Sequence, residues 1–184
     1  EPGATENGTG KGLLHPVENV SWHYANETMR RLGLSLPTEA QWEYAARGGT
    51  GTPWWTGDKA ASLAGSENLA DAAYRAGGND WAKVEAWDDG HYVHAPVASL
   101  QANPFGLHDV LGNVSEWCLD RWGSFELPTR PGDGYRQTEG VLACVLRGGC
   151  FDSAAPDARV VERYSYTPDF INYCTGVRPA RAVE

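Results

Sequence analysis

Two carboxylates, Asp109 and Glu116, lie on either side of a glycine-containing stretch within residues 103–117. Gly106 and Gly112 allow the positive φ angles of a tight loop, which aims neighbouring carbonyl groups at one point. Ca²⁺ prefers such a set of carboxylate and carbonyl oxygens. The run therefore predicts a hard-cation site, and it is equally compatible with a turn that has only a packing role.

Two short helices are predicted before this run. The first begins at Ser21, a favoured N-cap residue, and ends at Gly33. Its apolar side chains recur on one face, at Trp22, Ala25, Met29 and Leu32. The second begins at Thr38, which forms a capping box with Gln41, and it ends at Gly48-Gly49.

Regular structure is sparse in the rest of the chain. From residue 50 onward only residues 144–147 and 174–178 are predicted as strands, because glycine, proline and isolated aromatic residues interrupt the other apolar pieces. A chain of 184 residues suits one buried core. We therefore expect one loop-rich α+β domain over residues 13–184, preceded by a flexible tail or precursor remnant at residues 1–12.

The composition disfavours several classes of partner. A net charge of −9 and a pI near 5.0, without any run of lysine or arginine, disfavour nucleic acid and anionic membranes. No apolar stretch approaches the roughly 20 residues that span a bilayer, and the first residues lack the regions of a signal peptide. Eight tryptophans and eight tyrosines predict a core whose rings need hydrogen-bond partners. The sequence assigns no cellular compartment.

Cysteines and histidines predict no catalytic centre. Cys118, Cys144, Cys150 and Cys174 show no CxxC spacing, so no zinc site is predicted. They fit two disulfides or four free thiols, and free thiols are favoured because a globular chain of this size does not need covalent support. The five histidines are scattered, and neither serine nor cysteine stands in a recognisable nucleophile motif.

Three blocks of sequence carry a family resemblance. They are residues 35–49 (SLPTEAQWEYAARGG), residues 103–117 (NPFGLHDVLGNVSEW), and residues 146–149 (LRGG) leading to residues 176–181 (GVRPAR). Together they resemble the formylglycine-generating-enzyme, or sulfatase-modifying-factor, family. The resemblance implies a C-type-lectin-like α+β fold with little regular secondary structure. It leaves two functions, since the family includes copper-dependent oxidases that convert a sulfatase cysteine to formylglycine and also non-catalytic binding proteins.

The oxidases hold copper with two cysteines shortly after the Gly-Gly pair, and the matching positions here are Ser153 and Ala158. A hydroxyl and a methyl group are not soft ligands for Cu(I), so no copper is expected. Cys150 directly follows Gly149 and Cys174 lies far downstream, so we expect no small shift in register to rebuild the pair. The open alternatives are an oxidase with another copper arrangement and a partner domain of an iron-dependent sulfoxide synthase.

The resemblance also implies two structural calcium sites. Both combine side-chain oxygens with backbone carbonyl groups. The first would use Asn68, Leu69, Asp89 and His91. The second would use Asp109, Gly112, Val114 and Glu116. The alternative is that Asp89 and Asp109 only cap turns.

Residues 150–175 mix aromatic with small polar side chains and follow neither the period of a strand nor that of a helix. Tyrosine accompanied by serine, asparagine and aspartate is typical of a paratope. Nine of these residues are predicted to form a ligand-binding surface, largely exposed on one face: Phe151, Asp152, Ser153, Val161, Tyr164, Tyr166, Phe170, Asn172 and Tyr173. The alternative is that they are ordinary core and loop residues.

The frame of this segment also resembles the variable region of diversity-generating-retroelement proteins, which place a varied surface at the end of a lectin-like fold. Residues 147–181 would be that region, with Arg147 and Arg178 holding it through bonds to carboxylates or carbonyl groups. The favoured function is a non-catalytic protein that binds a protein or another macromolecule. The alternative is a formylglycine-generating-enzyme-like oxidoreductase or a related sulfatase-modifying-factor enzyme.

Overall fold

The computed structural model describes residues 12–79 and 83–181. Its helices and strands are short and, in chain order, are α1 (Trp22–Arg31), α2 (Glu39–Arg47), α3 (Ala72–Ala76), β1 (Ser115–Arg121), β2 (Cys144–Arg147), β3 (Arg163–Tyr166) and β4 (Thr175–Gly176). Loops connect them, in agreement with the predicted loop-rich α+β class. The predicted tail, residues 1–12, lies outside the described residues apart from Gly12.

Helices α1 and α2 lie where the sequence predicts them, because their caps form as expected. The Ser21 side chain accepts a hydrogen bond from the backbone of the first turn of α1 at 3.2 Å. Thr38 and Gln41 complete the capping box of α2, and Gly48 ends that helix with a φ of 56°. Helix α3 was not predicted, since it has five residues and depends on the Asp71 cap rather than on periodicity.

The four strands form one sheet in the order β3-β2-β1-β4. Strand β2 is antiparallel to β1 and to β3, whereas β4 is parallel to β1 and places Ser115 opposite Thr175. The strand predicted at residues 144–147 is confirmed, and the one predicted at 174–178 shortens to two residues. Strands β1 and β3 were missed because neither alternates between buried and exposed residues.

Two apolar clusters cover opposite faces of the sheet. Trp117 and Leu146 belong to the cluster under α1, whereas their neighbours Cys118 and Val145 belong to the cluster under α2. Successive residues of a strand point to opposite faces, which explains this division. The Nε1–H of Trp22 donates to the Cys118 carbonyl at 2.7 Å, as expected of a core built from aromatic rings with polar atoms.

Two arginines fix the C-terminal segment, as predicted. The Arg147 side chain is fully buried, donates to the carbonyl groups of residues 160–162 at 2.7–3.1 Å, and contacts the Glu43 carboxylate at 2.6 Å. Arg178 pairs with the Glu116 carboxylate at 2.7 Å. It also donates to the His108 and Asp109 carbonyl groups in the loop before β1. The path of the chain after β2 is therefore set by charge-assisted hydrogen bonds.

Candidate ligand-binding site

The chain leaves β2 through a tight turn at Gly148 and Gly149, whose φ angles are 95° and 71°. A Cβ atom at Gly149 would stand 3.1 Å from the Ala158 side chain and 3.2 Å from Ser153 Oγ. Glycine adopts this left-handed conformation without strain and leaves room for both neighbours. The turn therefore fixes where the residues after position 149 enter the fold.

A cavity of about 410 Å³ lies between the ends of the strands at Ser115 and Leu146 and the segment 150–175. We call it the Cys150 pocket. Six of the nine predicted contact residues line it, namely Asp152, Ser153, Tyr164, Tyr166, Phe170 and Asn172. Cys150 and Cys174 lie in the same wall. The fold thus brings together residues from the two ends of the predicted surface.

The aromatic residues of the pocket have different roles. Tyr166 is 38% exposed, and its ring stacks on that of Phe170 with centroids 4.1 Å apart and planes 14° from parallel. Tyr164 is less exposed, and its hydroxyl donates to the Asp157 carbonyl at 2.7 Å. Burial raises the pKa of Tyr164 above its ordinary value, so the hydroxyl stays neutral. Tyr166 and Phe170 form an accessible rim of the pocket. Tyr164 is part of its wall, and its hydrogen bond to Asp157 holds it in place.

The other three predicted contact residues lie elsewhere. The prediction that Phe151 is exposed is wrong, because it is 5% exposed and its ring packs against Tyr74 in an apolar cluster. Val161 is exposed but lies outside the Cys150 pocket, with its carbonyl bound to Arg147. Tyr173 faces a neighbouring cavity of about 330 Å³. The nine residues predicted for one face are therefore divided: six line the Cys150 pocket and three lie outside it.

One group of residues in the pocket was missed from the sequence. The Sγ atoms of Cys150 and Cys174 and a carboxylate oxygen of Asp152 all lie within 4.8 Å of one another. Cys174 is far from Cys150 in sequence, and the parallel pairing of β4 with β1 returns it to the start of the segment. A hydrogen bond between the Cys174 thiol and Cys150, together with burial, raises the pKa of Cys174. All four cysteines are free thiols.

The two positions to which the family resemblance assigns copper lie on the same side of Gly149. A Cβ atom on Gly149 would stand 3.2 Å from Ser153 Oγ and 3.1 Å from Ala158 Cβ. Ser153 Oγ accepts a hydrogen bond from the Cys150 backbone N–H at 3.0 Å, and Ala158 is fully buried. These two side chains have structural partners and offer no sulfur ligand.

The residues predicted for the first calcium site meet in space. The Asp89 carboxylate accepts hydrogen bonds from the backbone N–H groups of Leu69 at 3.3 Å and His91 at 2.8 Å. Asn68 Oδ1 is buried and has no hydrogen-bond partner among the described residues. Burial raises the pKa of Asp89 to about 7, and a bound cation would favour its charged form. A buried, unpaired amide oxygen and a carboxylate are the types of donor that fit a hard cation.

The second predicted calcium site is only partly available. Asp109, Val114 and Glu116 line one cavity of about 440 Å³. Asp109 Oδ1 is buried and unpaired within the part of the chain that the structure describes. Glu116, by contrast, pairs with Arg178 and accepts a hydrogen bond from Trp42 Nε1 at 2.7 Å. Asp109 fits a cation ligand, whereas Glu116 would have to be shared with Arg178.

The two predicted calcium sites are joined by the backbone. Gly112 lies against Asn68, so that a Cβ atom at this position would stand 2.2 Å from the Asn68 carbonyl oxygen. The same carbonyl accepts a hydrogen bond from the Asn113 N–H at 2.8 Å. The glycine in this loop is therefore required by close packing between the two sites.

The chain belongs to the family of the sulfatase-modifying factor enzyme 1-like domain, which it matches over residues 3–183. A formylglycine-generating enzyme of Streptomyces coelicolor is 41% identical over 182 residues, covering 90% of this chain and 52% of that protein. A bovine protein named inactive C-alpha-formylglycine-generating enzyme 2 is 31% identical over 189 residues, covering 98% of this chain and 54% of that protein. The chain spans about half the length of these relatives.

Solved structures confirm the predicted fold. PvdO from Pseudomonas aeruginosa has a TM-score of 0.76 at 23% identity, with 94% of this chain and 64% of that chain covered. Treponema denticola variable protein 1 has a TM-score of 0.71 at 23% identity, with 95% and 74% covered. The chain thus has the fold of formylglycine-generating-type and variable proteins. None of the helices in the described ranges has the length and apolar character needed to cross a bilayer.

Proposed function

We propose that this domain is a non-catalytic ligand-binding module whose contact surface is the open side of the Cys150 pocket. The observation that carries the proposal is the convergence of six predicted contact residues on one pocket. Behind them, Arg147 fixes the backbone by hydrogen bonds to residues 160–162. Side chains on such a frame can be replaced while the backbone keeps its path, as a variable binding surface requires.

The chemistry of the pocket supports a protein or another macromolecule as partner. Tyr166 and Phe170 offer a stacked aromatic pair, and Asp152, Ser153 and Asn172 offer polar groups around it. Aromatic rings supply large contact areas at a small loss of entropy, and small polar side chains adapt their hydrogen bonds. The two aspartates that line the pocket, Asp152 and Asp157, and the net charge of −9 favour a partner with a neutral or basic patch.

The residues at the copper positions support a role without oxidase chemistry. Cu(I) needs soft ligands, whereas Ser153 supplies a hydroxyl and Ala158 a methyl group. The relatives named formylglycine-generating enzyme are the argument for the alternative, an oxidoreductase or related enzyme of the same family.

A peptide assay separates these two functions. The protein is loaded with copper, incubated with a Cys-x-Pro-x-Arg peptide and oxygen, and the peptide is examined by mass spectrometry for the aldehyde. We expect no product, while the formylglycine-generating enzyme of Streptomyces coelicolor serves as the positive control. Turnover by this chain would replace the binding proposal with the oxidase.

A capture experiment tests the contact surface itself. The immobilised domain is exposed to extract of the source cells, and bound proteins are quantified by mass spectrometry. Tyr166→Ala should weaken capture by roughly 30-fold or more, the equivalent of the 2 kcal/mol typical of an aromatic hot spot. Tyr24→Ala is the matched control, because Tyr24 is 72% exposed on α1, away from the pocket. Equal capture by wild type and Tyr166→Ala would contradict the proposal.

We further propose that calcium supports the scaffold at both predicted sites. Asn68 and Asp109 supply the buried unpaired oxygens, Asp89 supplies a carboxylate, and backbone carbonyl groups complete each set. A bound calcium would offset the negative charge of these groups and stabilise the loops that carry them. The role is structural, because these residues lie outside the Cys150 pocket.

A further inference from the structure

The wall of the Cys150 pocket holds two thiols and a carboxylate from the two ends of segment 150–175. Cys150 Sγ and Asp152 Oδ1 are 2.9 Å apart, and the Cys174 thiol completes a set whose atoms all lie within 4.8 Å of one another. Cys150 is buried, whereas Asp152 and Cys174 are half-buried at the wall of the open cavity. The three donors thus converge where an ion from solvent can reach them.

The backbone holds both cysteines in place. The Cys174 N–H donates to Asn172 Oδ1 at 2.6 Å, and its carbonyl accepts from the Ser115 N–H at 2.8 Å. On the other side, the Cys150 N–H donates to Ser153 Oγ at 3.0 Å. A site whose ligands stand on fixed backbone loses little conformational entropy when an ion binds.

We propose that Cys150, Asp152 and Cys174 bind a zinc-type divalent ion, with a fourth coordination position open to the pocket. At zinc–sulfur distances of about 2.3 Å, two thiolates on one tetrahedral ion lie roughly 3.8 Å apart, so small side-chain movements suffice. Binding replaces the two thiol protons with the ion, and the protons leave to solvent.

The donor set selects the class of ion. Thiolates are poor ligands for Ca²⁺ and Mg²⁺, which prefer oxygen. Cu(I) prefers soft ligands and would leave the Asp152 carboxylate without a role. Zn²⁺ instead accepts thiolate sulfur and carboxylate oxygen together. The second oxygen of Asp152 accepts a hydrogen bond from the Tyr173 hydroxyl at 3.3 Å, which orients the carboxylate as an outer-shell partner does in metal sites.

Three protein ligands and an open position are the arrangement of a zinc site that exchanges its fourth ligand. Asn172 and the rim residue Tyr166 line the pocket into which that position would open. A carboxylate, imidazole or thiolate group of a bound molecule is the chemistry that such an ion would accept. This inference does not depend on the capture of a protein partner, because the ion is bound by the chain itself.

Metal titration of the tag-free, reduced protein tests the site. Zn²⁺ is titrated in competition with a chromogenic chelator, and Co²⁺ is used as a spectroscopic substitute. We expect one equivalent of zinc per chain and a sulfur-to-cobalt charge-transfer band whose intensity reports two thiolates. Binding well below one equivalent, or a cobalt spectrum without thiolate bands, would overturn the proposal.

Single substitutions assign the ligands. Cys150→Ser and Cys174→Ser should each remove at least half of the charge-transfer band, and Asp152→Asn should weaken zinc binding by roughly tenfold or more. Cys144→Ser is the matched control, because Cys144 is a free thiol on β2 outside the pocket, and it should keep the full band. Cys174 is half-buried, so Cys174→Ser tests the site even where Cys150→Ser does not fold. An unchanged band in Cys174→Ser, or a lost band in Cys144→Ser, would place the metal elsewhere.

Discussion

Arg147 is a fully buried cation whose partners are the Glu43 and Glu39 carboxylates and the carbonyl groups of residues 160–162. Replacing it by methionine would leave those carbonyl groups without their donor and would leave Glu43 with Arg47 as its remaining cation. Breaking a buried ion pair from one side typically lowers the free energy of unfolding by about 3–5 kcal/mol. We expect a loss of this size for Arg147→Met in urea unfolding.

The control for this variant is Arg30→Met. Arg30 pairs with Glu27 on the surface of α1, where its side chain is 72% exposed. Exposed pairs contribute little, so the free energy of unfolding should change by less than about 1 kcal/mol. A loss for Arg147→Met as small as that of the control would show that Arg147 does not hold the terminal segment.

Phe151 and Val161 give a second test at the residue scale, because both were predicted to be contact residues. Phe151→Ala should lower the free energy of unfolding by about 3–5 kcal/mol, since its ring fills an apolar cluster. Val161→Ala should change it by no more than about 0.5 kcal/mol, because that side chain is 46% exposed. Equal losses in thermal or urea unfolding would contradict these assignments.

Residue types alone did not separate contact residues from core residues in this segment. Phe151 and Tyr166 both follow no periodic pattern, and both suit either a paratope or a core. Phe151 turns inward because the chain leaves the Gly148-Gly149 turn in a fixed direction, whereas Tyr166 ends the edge strand β3. Six of nine predicted residues line the pocket because aromatic and polar residues are concentrated in one segment whose ends meet.

Among the elements, β1 and α2 are joined through Asp120. Its two carboxylate oxygens accept hydrogen bonds from the backbone N–H groups of Glu39 at 2.7 Å and Arg136 at 2.8 Å. Burial outweighs these bonds and raises the pKa of Asp120 above its ordinary value. The folded protein therefore binds this proton at pH values where the unfolded chain has already released it.

The sign of the resulting pH dependence follows from that difference. Asp120 stabilises the fold most below its ordinary pKa, and this contribution is lost as the pH rises through the raised value. Asp120→Asn removes the titration, so the decrease in unfolding free energy from about pH 4 to pH 7 should be smaller than in wild type. Urea unfolding at several pH values measures both slopes. Parallel pH profiles would show that Asp120 has the same pKa in both states.

Helices α1 and α2 were predictable because their signals are local. Each cap acts within one helical turn of the residues that it stabilises. The caps expected at Ser21, Thr38, Gln41 and Gly48 are all present in the structure. The strands β1 and β3 depend on distant partners. Strand β1 is covered on both faces by the clusters under α1 and α2, so its sequence does not alternate.

For the molecule as a whole, calcium binding should be visible in thermal stability. Ligand binding to the folded state alone adds about 2.7 kcal/mol at a hundredfold excess over Kd. Chelation should therefore lower the melting temperature, and added calcium should restore it. Asp109→Ala and Asn68→Ala should each remove part of this response, with the larger part lost in Asp109→Ala. A melting temperature indifferent to chelator in the wild type would count against both sites.

The Cys150–Cys174 pair shows why the rest of the site was not predictable. The two residues are close because the two-residue strand β4 pairs in parallel with β1. No local sequence pattern predicts this pairing. The family resemblance implies metal ligands at positions 153 and 158, and neither position belongs to this pair. Only the topology of the complete sheet brings the three donor groups together.

The contacts that fix segment 150–175 at two points limit how its sequence can change during evolution. Arg147 donates hydrogen bonds to the carbonyl groups of residues 160–162. At the far end of the segment, β4 pairs in register with β1 at Thr175. An added or deleted residue between these two anchors would displace one of them. Homologous copies should therefore differ in this stretch by substitution, with the number of residues between positions 162 and 175 conserved.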